Sequence, residues 1–579
     1  MSEIQNKIRA QFSEADHDSP PADIGAYHRR TKHAPMRYAL GPAFLDWTSQ
    51  PSPFRRFEGA PLVELPLLDG APTPPFPGPA PDAAPLDHER LGLFFELAFG
   101  LSAWKSFEGS TWALRNNPSS GNLHPTEAYA ALNAGAIGDK AALYHYAPLE
   151  HALEERAQYE GEHVLPSGGF LLGLTGIPWR ECWKYGERAF RYCQLDAGHA
   201  IGAAAQAAAA LGWRASVLPE PSDAEIAELI GLDRADAWRR REPEHPDALL
   251  WIDVAKGAIP SLDLAYLSQA PRRWIGVANL LSEDHHPWPA VDRAAQLCGK
   301  PRTAAQPALS RRAAPVWAGA PGIGEVVRSR RSAQRLDGEA ILSHRDFSAM
   351  LAATLPGAEP LLSGFPFPPR LNLLLFVHRV EGLSPGLYFL ERDASSAARL
   401  RQAMGDFDGS PVDLSGLRLT LLKSGDCQRE ATIFSCRQAI AGKGCFAVAM
   451  IAEFDRTLAQ EGAFAYRRLN FMHAVAEAVA AAESEEIAVA AALAVLRTKL
   501  GWSSDSEARA AVLARFAPVA QQVFAALMPA GDEEAAPPAP PADAVAALAA
   551  FEAWYRDTHP NPFWSLFEHY MPETPVVDF

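Results

Sequence analysis

The stretch from Trp112 to Leu132, WALRNNPSSGNLHPTEAYAAL, constrains the fold more than any other part of the chain. Pro118 ends the preceding element because its ring removes a backbone N–H, and it biases Asn117 away from helix. Serine, glycine and asparagine follow at 119–122, which predicts a polar turn that can bring backbone N–H groups against a ligand.

The residues around this turn favour a binding loop over a simple connection. The apolar run TEAYAAL after Pro125 predicts a buried element, so the loop stands at the end of rigid structure. A type I turn that only caps the next element is the alternative. That alternative leaves Arg115, His124 and Pro125 unexplained.

Length, composition and charge limit the classes of protein that fit. A chain of 579 residues is too long for one ordinary core and predicts two domains. Its 48% hydrophobic and 21% charged residues are typical of a globular protein. A formal net charge of −16 with no long Lys/Arg run disfavours nucleic acid as a partner, because phosphate binding needs a basic surface.

Cysteine usage and the termini predict a cytoplasmic location. The six cysteines have no CxxC spacing, which indicates reduced thiols. The first residues lack the apolar core of a signal peptide, and no run reaches the roughly 18 apolar residues of a membrane span. No motif in a supporting context predicts a metal, so zinc is not expected.

Two motifs, in order, resemble one family. The first is Arg115 with PSSGNLHPTEAY, and the second is CWKYGERAFRYCQLDAGH from Cys182 to His199. Together they resemble the nitroreductase superfamily, in the branch of the FMN-dependent azoline dehydrogenases that make thiazoles and oxazoles in ribosomal peptides. The resemblance implies FMN as cofactor, a peptide or small-molecule substrate, and Lys184 and Tyr185 as the catalytic pair. It implies that the flavin loop consists of Arg115, Pro118, Ser119, Ser120, Gly121, Asn122 and His124.

The same resemblance supplies candidates for the cofactor's phosphate. The segment RRSAQR matches the family's opening phosphate motif and contributes Arg330, Arg331, Ser332 and Arg335. Arg55 and Arg56 occupy the related place in the first half, and an arginine pair can grip a phosphate bidentately. Adjacent arginines that are merely solvated are the equally weighted alternative. The stretch around Ser216 is related to the family's Gly-rich turn beside the flavin.

We expect an α+β fold of two tandem nitroreductase-like domains that form a pseudo-dimer within the chain, leaving open a further homodimer. Domain one with its N-terminal extension covers 1–300, a linker covers 301–320, and domain two covers 321–528. A Pro/Ala linker and an aromatic tail follow at 529–579, and the Ala-rich C-terminal part is expected to be helical. Domain two is expected to be degenerate because it has no PSSGN loop and no Lys-Tyr pair.

Local patterns give four expectations for secondary structure. Residues 143–157 read as a strand turning into a helix, and 187–211 as a long buried helix ended by Gly212. Residues 371–390 read as strand, turn and strand, and Ser343 as the N-cap of a helix in a capping box completed by Asp346.

The sequence leaves three functions to be weighed. The leading hypothesis is an FMN-dependent dehydrogenase of an azoline-type heterocycle in a peptide or peptide-like metabolite. The second is an NAD(P)H-dependent nitro or quinone reductase, which does not need the Lys-Tyr pair. The third is a scaffold that binds a peptide or a biosynthetic partner without turnover.

Overall fold

The computed structural model describes residues 19–33, 38–67, 72–76, 81–107, 110–238, 242–257, 259–306, 309–313, 321–330, 336–360, 362–404 and 409–471. Nearly all of them belong to one compact unit, which comprises residues 1–400, 408–486 and 577–579. A second unit comprises residues 401–407 and 487–576, of which 401–404 are described. The expected C-terminal helical extension, the second linker and the aromatic tail lie outside the described residues.

The first half is built on an antiparallel sheet of eight strands in the order β11-β7-β6-β5-β8-β10-β9, with β2 also paired to β7. Two short pairs, β1 with β12 and β3 with β4, stand apart from it. The strands are β1 (Phe57–Glu58), β2 (Leu62–Glu64), β3 (Leu101–Phe107), β4 (Ser110–Arg115), β5 (Thr126–Leu132), β6 (Ala142–Ala147), β7 (Ala152–Tyr159), β8 (Gly169–Gly176), β9 (Arg214–Val217), β10 (His245–Asp253), β11 (Arg272–Trp274) and β12 (Val277–Ala278).

Both faces of this sheet are covered, as strand β5 shows. Its residues Ala128, Ala130 and Leu132 face one hydrophobic core, and Tyr129 and Ala131 face another. The alternation follows from the two-residue period of a strand. The helices of this half are α1 (Ile24–Thr31), α2 (His88–Phe99), α3 (Pro178–Tyr185), α4 (Ala189–Ala210), α5 (Asp223–Ile230), α6 (Leu264–Gln269) and α7 (Pro289–Leu297).

One secondary-structure expectation for this half is wrong and one is confirmed. Residues 143–157 form the hairpin of β6 and β7 rather than a strand and a helix, because β7 is paired on both sides and buries Glu154 against His145. Tertiary pairing here overrides the helical spacing of the apolar residues. The long buried helix is α4, which ends just before Gly212 in the left-handed conformation (φ +70°).

The second half has an antiparallel five-stranded sheet in the order β15-β16-β14-β13-β17 and its own core around Phe347 and Leu375. The expected strand, turn and strand is confirmed as β13 and β14. Of the expected capping box, the structure shows the hydrogen bond that the Ser343 side chain accepts from Asp346 N, which is one of its two bonds. The elements are α8 (Ile323–Ser329), α9 (His344–Ala353), β13 (Leu371–Val377), β14 (Gly386–Leu390), α10 (Ala394–Met404), β15 (Ser410–Val412), β16 (Leu419–Ser424), α11 (Gln428–Phe434), α12 (Ala439–Lys443), β17 (Phe446–Ala452), α13 (Phe454–Glu461) and a helical stretch at 465–471.

The two halves meet in one hydrophobic core and through polar contacts. Ile323, Phe365 and Leu469 of the second half belong to the same buried cluster as α2 and α4. In the Pro-rich connector of the first half, the Thr73 hydroxyl accepts a hydrogen bond from Gly324 N at 2.8 Å, at the start of α8.

Arg467 makes the most deeply buried of these polar contacts. Its guanidinium pairs with Asp223 at 2.6 Å, reaches the Gln194 side chain of α4, and donates to the carbonyls of Pro246 and Asp247 at the start of β10. A buried cation with several partners fixes one arrangement of the elements that supply them.

We predict that Arg467→Ala destabilises the protein by about 3–5 kcal/mol, because it leaves the buried Asp247 carboxylate, 3.7 Å away, and the carbonyls of Pro246 and Asp247 without their cation. The urea midpoint of unfolding measures this. Arg456→Ala is the matched control, since the Arg456 side chain is 53% exposed and its loss should change stability by no more than about 0.5 kcal/mol. Equal midpoints for the two variants would contradict the prediction.

Candidate functional site

The loop between β4 and β5 has an unusual backbone that its surroundings must maintain. A short 3-10 turn covers Ser120–Asn122, with Gly121 at φ +60°, Asn122 at φ +58° and His124 at φ +52°. Left-handed backbone at a residue other than glycine costs about 1–2 kcal/mol. Two such residues within three positions indicate that side-chain contacts hold the loop.

Asp196 of α4 provides the first of these contacts. Its buried carboxylate accepts from Ser120 N at 3.0 Å and from the Ser120 hydroxyl at 2.9 Å. The Ser119 hydroxyl accepts from His124 N at 2.8 Å. Burial raises the pKa of Asp196 to about 6 in spite of these hydrogen bonds. Both serines therefore use their hydroxyls to shape the loop.

Asn122 and His124 form a second, inner set of contacts. Asn122 donates from Nδ2 to Ala113 O at 2.9 Å, and its Oδ1 lies 3.0 Å from His124 Nε2. Burial, with the charges of Arg115 and Arg180, lowers the pKa of His124 well below its usual value. The ring is therefore neutral with its proton on Nε2. The buried Nδ1, which has no partner in the part of the chain that the structure describes, is then an acceptor.

The loop and the Lys-Tyr pair, 63 residues apart in sequence, lie against each other. A Cβ placed on Gly121 would lie 2.5 Å from Tyr185 Oη and 3.0 Å from Lys184 Nζ. Lys184 Nζ in turn lies 5.4 Å from the centre of the Tyr185 ring. A side chain at position 121 would strain the backbone, because φ is positive, and would displace the side chains of Tyr185 and Lys184.

Behind Tyr185, α4 supplies a fixed aromatic support. The Tyr192 ring lies 4.5 Å from the Tyr185 ring, and Arg188 Nε donates to Tyr192 Oη at 2.8 Å. Tyr192 is 1% exposed, so the Tyr185 ring rests on a buried neighbour.

Arg180, on the first turn of α3, ties the loop to the sheet. It donates to His124 O at 2.6 Å and to Ser52 O at 2.9 Å, and it pairs with Glu127 of β5. Burial alone would raise the pKa of Glu127, but the charge of Arg180 and the hydrogen bond from His145 lower it to about 2. His145 also contacts Glu154 at 2.8 Å. Burial alone would lower the pKa of His145, but its two carboxylate partners, Glu127 and Glu154, raise it.

Arg55 and Arg56 are both engaged by carboxylates. Arg55 is 1% exposed, lies 3.5 Å from Glu242, and donates to the carbonyl of Asn279. Arg56 pairs with Glu150 and, at 2.8 Å, with Glu154. The position expected to bind phosphate is thus built as a set of internal ion pairs.

Arg115 is buried beneath the loop rather than presented on it. It donates to Pro53 O and, at 3.4 Å, to Thr126 O, and burial lowers its pKa to about 10. Pro118 lies in the loop between β4 and the 3-10 turn.

Arg330 belongs to the second half, where the preceding helix contacts a residue beside the start of the loop. Arg330 directly follows α8, while Arg331, Ser332 and Arg335 lie outside the described residues. On α8, Arg328 pairs with the Glu96 carboxylate at 2.7 Å, and the Glu96 carbonyl accepts from Asn116 Nδ2 at 2.6 Å.

Ser216 is the predicted residue that lies away from the loop. It pairs across the sheet with Trp251, Trp251 with Leu171, and Leu171 with Ala131. Ala131 is five residues beyond Thr126, where the loop joins the sheet, which is roughly 17 Å at 3.3 Å per residue. The structure therefore does not bring Ser216 to the 119–124 turn.

The loop fits a bound polar group, because it buries polar atoms that have no partner among the described residues. Leaving such an atom unpaired costs about 1–3 kcal/mol, which a ligand with matching donors and acceptors would recover. These atoms are Arg115 Nε, Asn116 Oδ1, Asn117 Oδ1, His124 Nδ1 and Thr126 Oγ1. Among the described residues no cluster of His, Cys, Asp and Glu suits a metal ion.

Sequence reasoning did not single out the residues that hold the loop in place. Glu127 is an ionisable group in the otherwise mostly apolar run TEAYAAL, and Arg180 is one of two, with Glu181, between the tryptophans of PWRECW. A charge in a buried strand needs a buried partner, and that rule is the signal that could have found them.

Comparison with known proteins identifies the class of the first half. Residues 82–239 match the nitroreductase family model, so the chain contains a nitroreductase-family domain. This segment carries the loop, the Lys-Tyr pair and Asp196. No curated protein matches the chain significantly.

Solved structures extend the similarity to the fold. A candidate nitroreductase from Anabaena variabilis is 19% identical, with a TM-score of 0.56, over 79% of this chain and 90% of that one. A candidate nitroreductase from Ralstonia eutropha is 20% identical over 38% of this chain and 98% of that one, with a TM-score of 0.25. The E. coli microcin synthetase McbBCD complex with truncated pro-MccB17 bound is 19% identical over 43% and 86%, with a TM-score of 0.24. The chain thus has a mixed α/β nitroreductase-like fold. None of its described helices is long and apolar enough to cross a membrane.

We predict that Gly121→Ala disrupts the site while the fold persists, because the added Cβ collides with Tyr185. Gly135→Ala is the control, since Gly135 also has a positive φ (+100°) but no atom within 4 Å of an added Cβ. Both variants should lose about 1 kcal/mol from backbone strain, and Gly121→Ala should also lose bound flavin or turnover by at least tenfold. Equal flavin content and turnover in the two variants would refute the prediction.

Proposed function

We propose that this protein is an FMN-dependent oxidoreductase that dehydrogenates an azoline-type heterocycle in a peptide or peptide-like metabolite. The observation that carries the proposal is the contact of the glycine turn with Tyr185 and Lys184 at a loop lined by unpaired polar atoms. A nitroreductase-family domain supports oxidoreductase chemistry more broadly.

The 115–126 loop is the proposed binding site for the polar edge of the flavin ring. The acceptors His124 Nδ1 and Asn117 Oδ1 match a ring N–H, and the N–H of Arg115 Nε matches a ring carbonyl. Arg330, Arg331, Ser332 and Arg335 are the proposed phosphate anchor. Bound FMN would supply the hydride acceptor.

The Lys-Tyr pair is the proposed proton-transfer group. Oxidation of an azoline removes a hydride from one ring carbon and a proton from its neighbour, and a C=C bond forms between them. We assign the proton to Tyr185 Oη. Because tyrosine titrates near 10, a cation is needed to stabilise its phenolate, and Lys184 Nζ lies beside the ring.

A nitro or quinone reductase is the second candidate, favoured by the family of the matched domain. A nitro or quinone group is reduced by hydride delivery, and this reaction needs no residue that removes a proton from carbon. The role of Lys184 therefore separates the two functions.

We predict that Lys184→Ala and Tyr185→Phe retain the flavin spectrum but slow reduction of bound flavin by an azoline at least 100-fold in a single anaerobic turnover, as expected for loss of a proton-transfer group. Lys105→Ala is the control, since Lys105 lies on the β3–β4 hairpin. Unchanged flavin reduction by azoline in both variants would remove the base assignment, and full NAD(P)H-dependent reductase activity in them would favour the second candidate.

We propose that the two halves form an internal pseudo-dimer with one composite flavin site. In support, the helix at 465–471 packs on α4, where Tyr466 stacks on Phe190 with ring planes 9° apart. The ion pair of Arg328 with Glu96 joins α8, which Arg330 directly follows, to the first half. The reciprocal position has Arg55 and Arg56, which already bind carboxylates. The tandem arrangement and the composite site are both part of this proposal.

We predict one FMN, and no FAD, per chain. Mass spectrometry of released cofactor gives its identity, and absorbance against protein concentration gives its stoichiometry. Arg331→Ala should lower flavin content, whereas Arg56→Ala should retain it. Two flavins per chain, or loss of flavin only in the Arg56 variant, would show that the halves are paired the other way.

A further inference from the structure

Exposed apolar side chains are concentrated in one short segment, residues 38–47, which we call the aromatic rim. Tyr38 is 45% exposed, Leu40 37%, Phe44 78% and Trp47 56%. These are four of the thirteen large hydrophobic side chains that are exposed in the described part of the chain. Single exposed apolar residues are ordinary, but a cluster of four within ten residues marks a binding surface.

The rim is fixed to the rest of the protein even though its side chains are exposed. Trp183 Nε1 donates to Asp46 O at 2.9 Å, and the Trp183 ring meets the Trp47 ring edge to face at 5.2 Å. At the other end, Leu40 O accepts from Glu187 N at 3.0 Å. A surface held in this way loses little conformational entropy when it binds.

The rim passes directly beside the proposed catalytic pair. Gly186, the residue after Tyr185, has φ +57°, and a Cβ placed on it would lie 2.5 Å from Leu40 O and 2.7 Å from Gly41 Cα. Trp183, which anchors the rim, directly precedes Lys184. At Gly186 the backbone of the rim therefore contacts the backbone that directly follows the catalytic pair.

The area and the charge of the rim indicate what kind of group binds to it. Three aromatic side chains and one leucine at these exposures offer on the order of 450 Å², from 150–250 Å² per aromatic, whereas a stable protein partner covers about 800 Å². The only charged residue of the rim, Asp46, accepts hydrogen bonds from Thr48 N at 3.0 Å and from its hydroxyl at 2.7 Å. The rim thus suits a small, uncharged, apolar group.

We infer that the aromatic rim binds an aromatic or large aliphatic side chain next to the reacting ring of the substrate, and so determines substrate preference. This inference rests on the proposed function, since it assigns the rim to the same site. Hydrophobic contacts of this size discriminate by roughly 10–200-fold between a substrate that fills them and one that does not.

The test uses the full-length flavin-loaded protein and two peptides that differ only in the residue beside a thiazoline, phenylalanine or alanine. The wild type should prefer the phenylalanine peptide about tenfold or more in kcat/KM. Phe44→Ala should remove most of that preference through KM, with kcat and the alanine peptide little changed. Ile341→Ala is the control, because Ile341 is 70% exposed and lies in the second half.

A binding measurement keeps this inference separate from the proposed reaction. Calorimetry with the corresponding thiazole peptides should show the same preference, and the same loss in Phe44→Ala, even if no turnover occurs. No preference in the wild type by either method, or an equal effect on both peptides, would overturn the inference. A wild-type dimer in light scattering that becomes monomeric in Phe44→Ala would also overturn it, by showing that the rim binds a second copy.

Discussion

The buried guanidinium of Arg180 is the contact on which the geometry of the site depends. It joins three segments that are distant in sequence, because it binds the carbonyls of Ser52 and His124 and the carboxylate of Glu127. Since Glu127 lies on a central strand, the loop is held to the most rigid part of the sheet. A loop with residues in left-handed backbone keeps that conformation only under such support.

The second support comes from α4. With both supports in place, some polar groups of the loop maintain the turn and others can contact a ligand. Ser119, Ser120 and Asn122 direct their side chains inward, where they maintain the turn. Asn116 Oδ1, Asn117 Oδ1 and His124 Nδ1, which have no partner among the described residues, are left to meet a ligand. The polar composition of the loop therefore overstates the number of side chains that can contact a ligand, because three of them maintain the turn.

The sequence predicted the loop, the long helix and the strand pair of the second half, because each has a local signal: a proline and glycine turn, a helical run with a terminal glycine, and apolar strands around a turn. The β6–β7 hairpin could not be predicted in this way. Residues 152–157 have helical spacing, and pairing of β7 with β6 on one side and with β2 and β11 on the other makes them a strand. Likewise, the adjacency of Arg55 and Arg56 predicts a phosphate site, but it could not show that they contact Glu242 and Glu150, which are about 90 or more residues away.

These ion pairs also explain why the two halves need not make two equal sites. A phosphate at Arg55 would have to displace Glu242 from a guanidinium that is almost fully buried, and the freed carboxylate would remain buried without its cation. Breaking a buried pair in this way costs about 3–5 kcal/mol. Bidentate binding of a phosphate would have to exceed that cost before any affinity remained. At the opposite position, Arg330 directly follows α8, whose Arg328 pairs with Glu96. The buried ion pair of Arg55 thus disfavours a second phosphate site beside it.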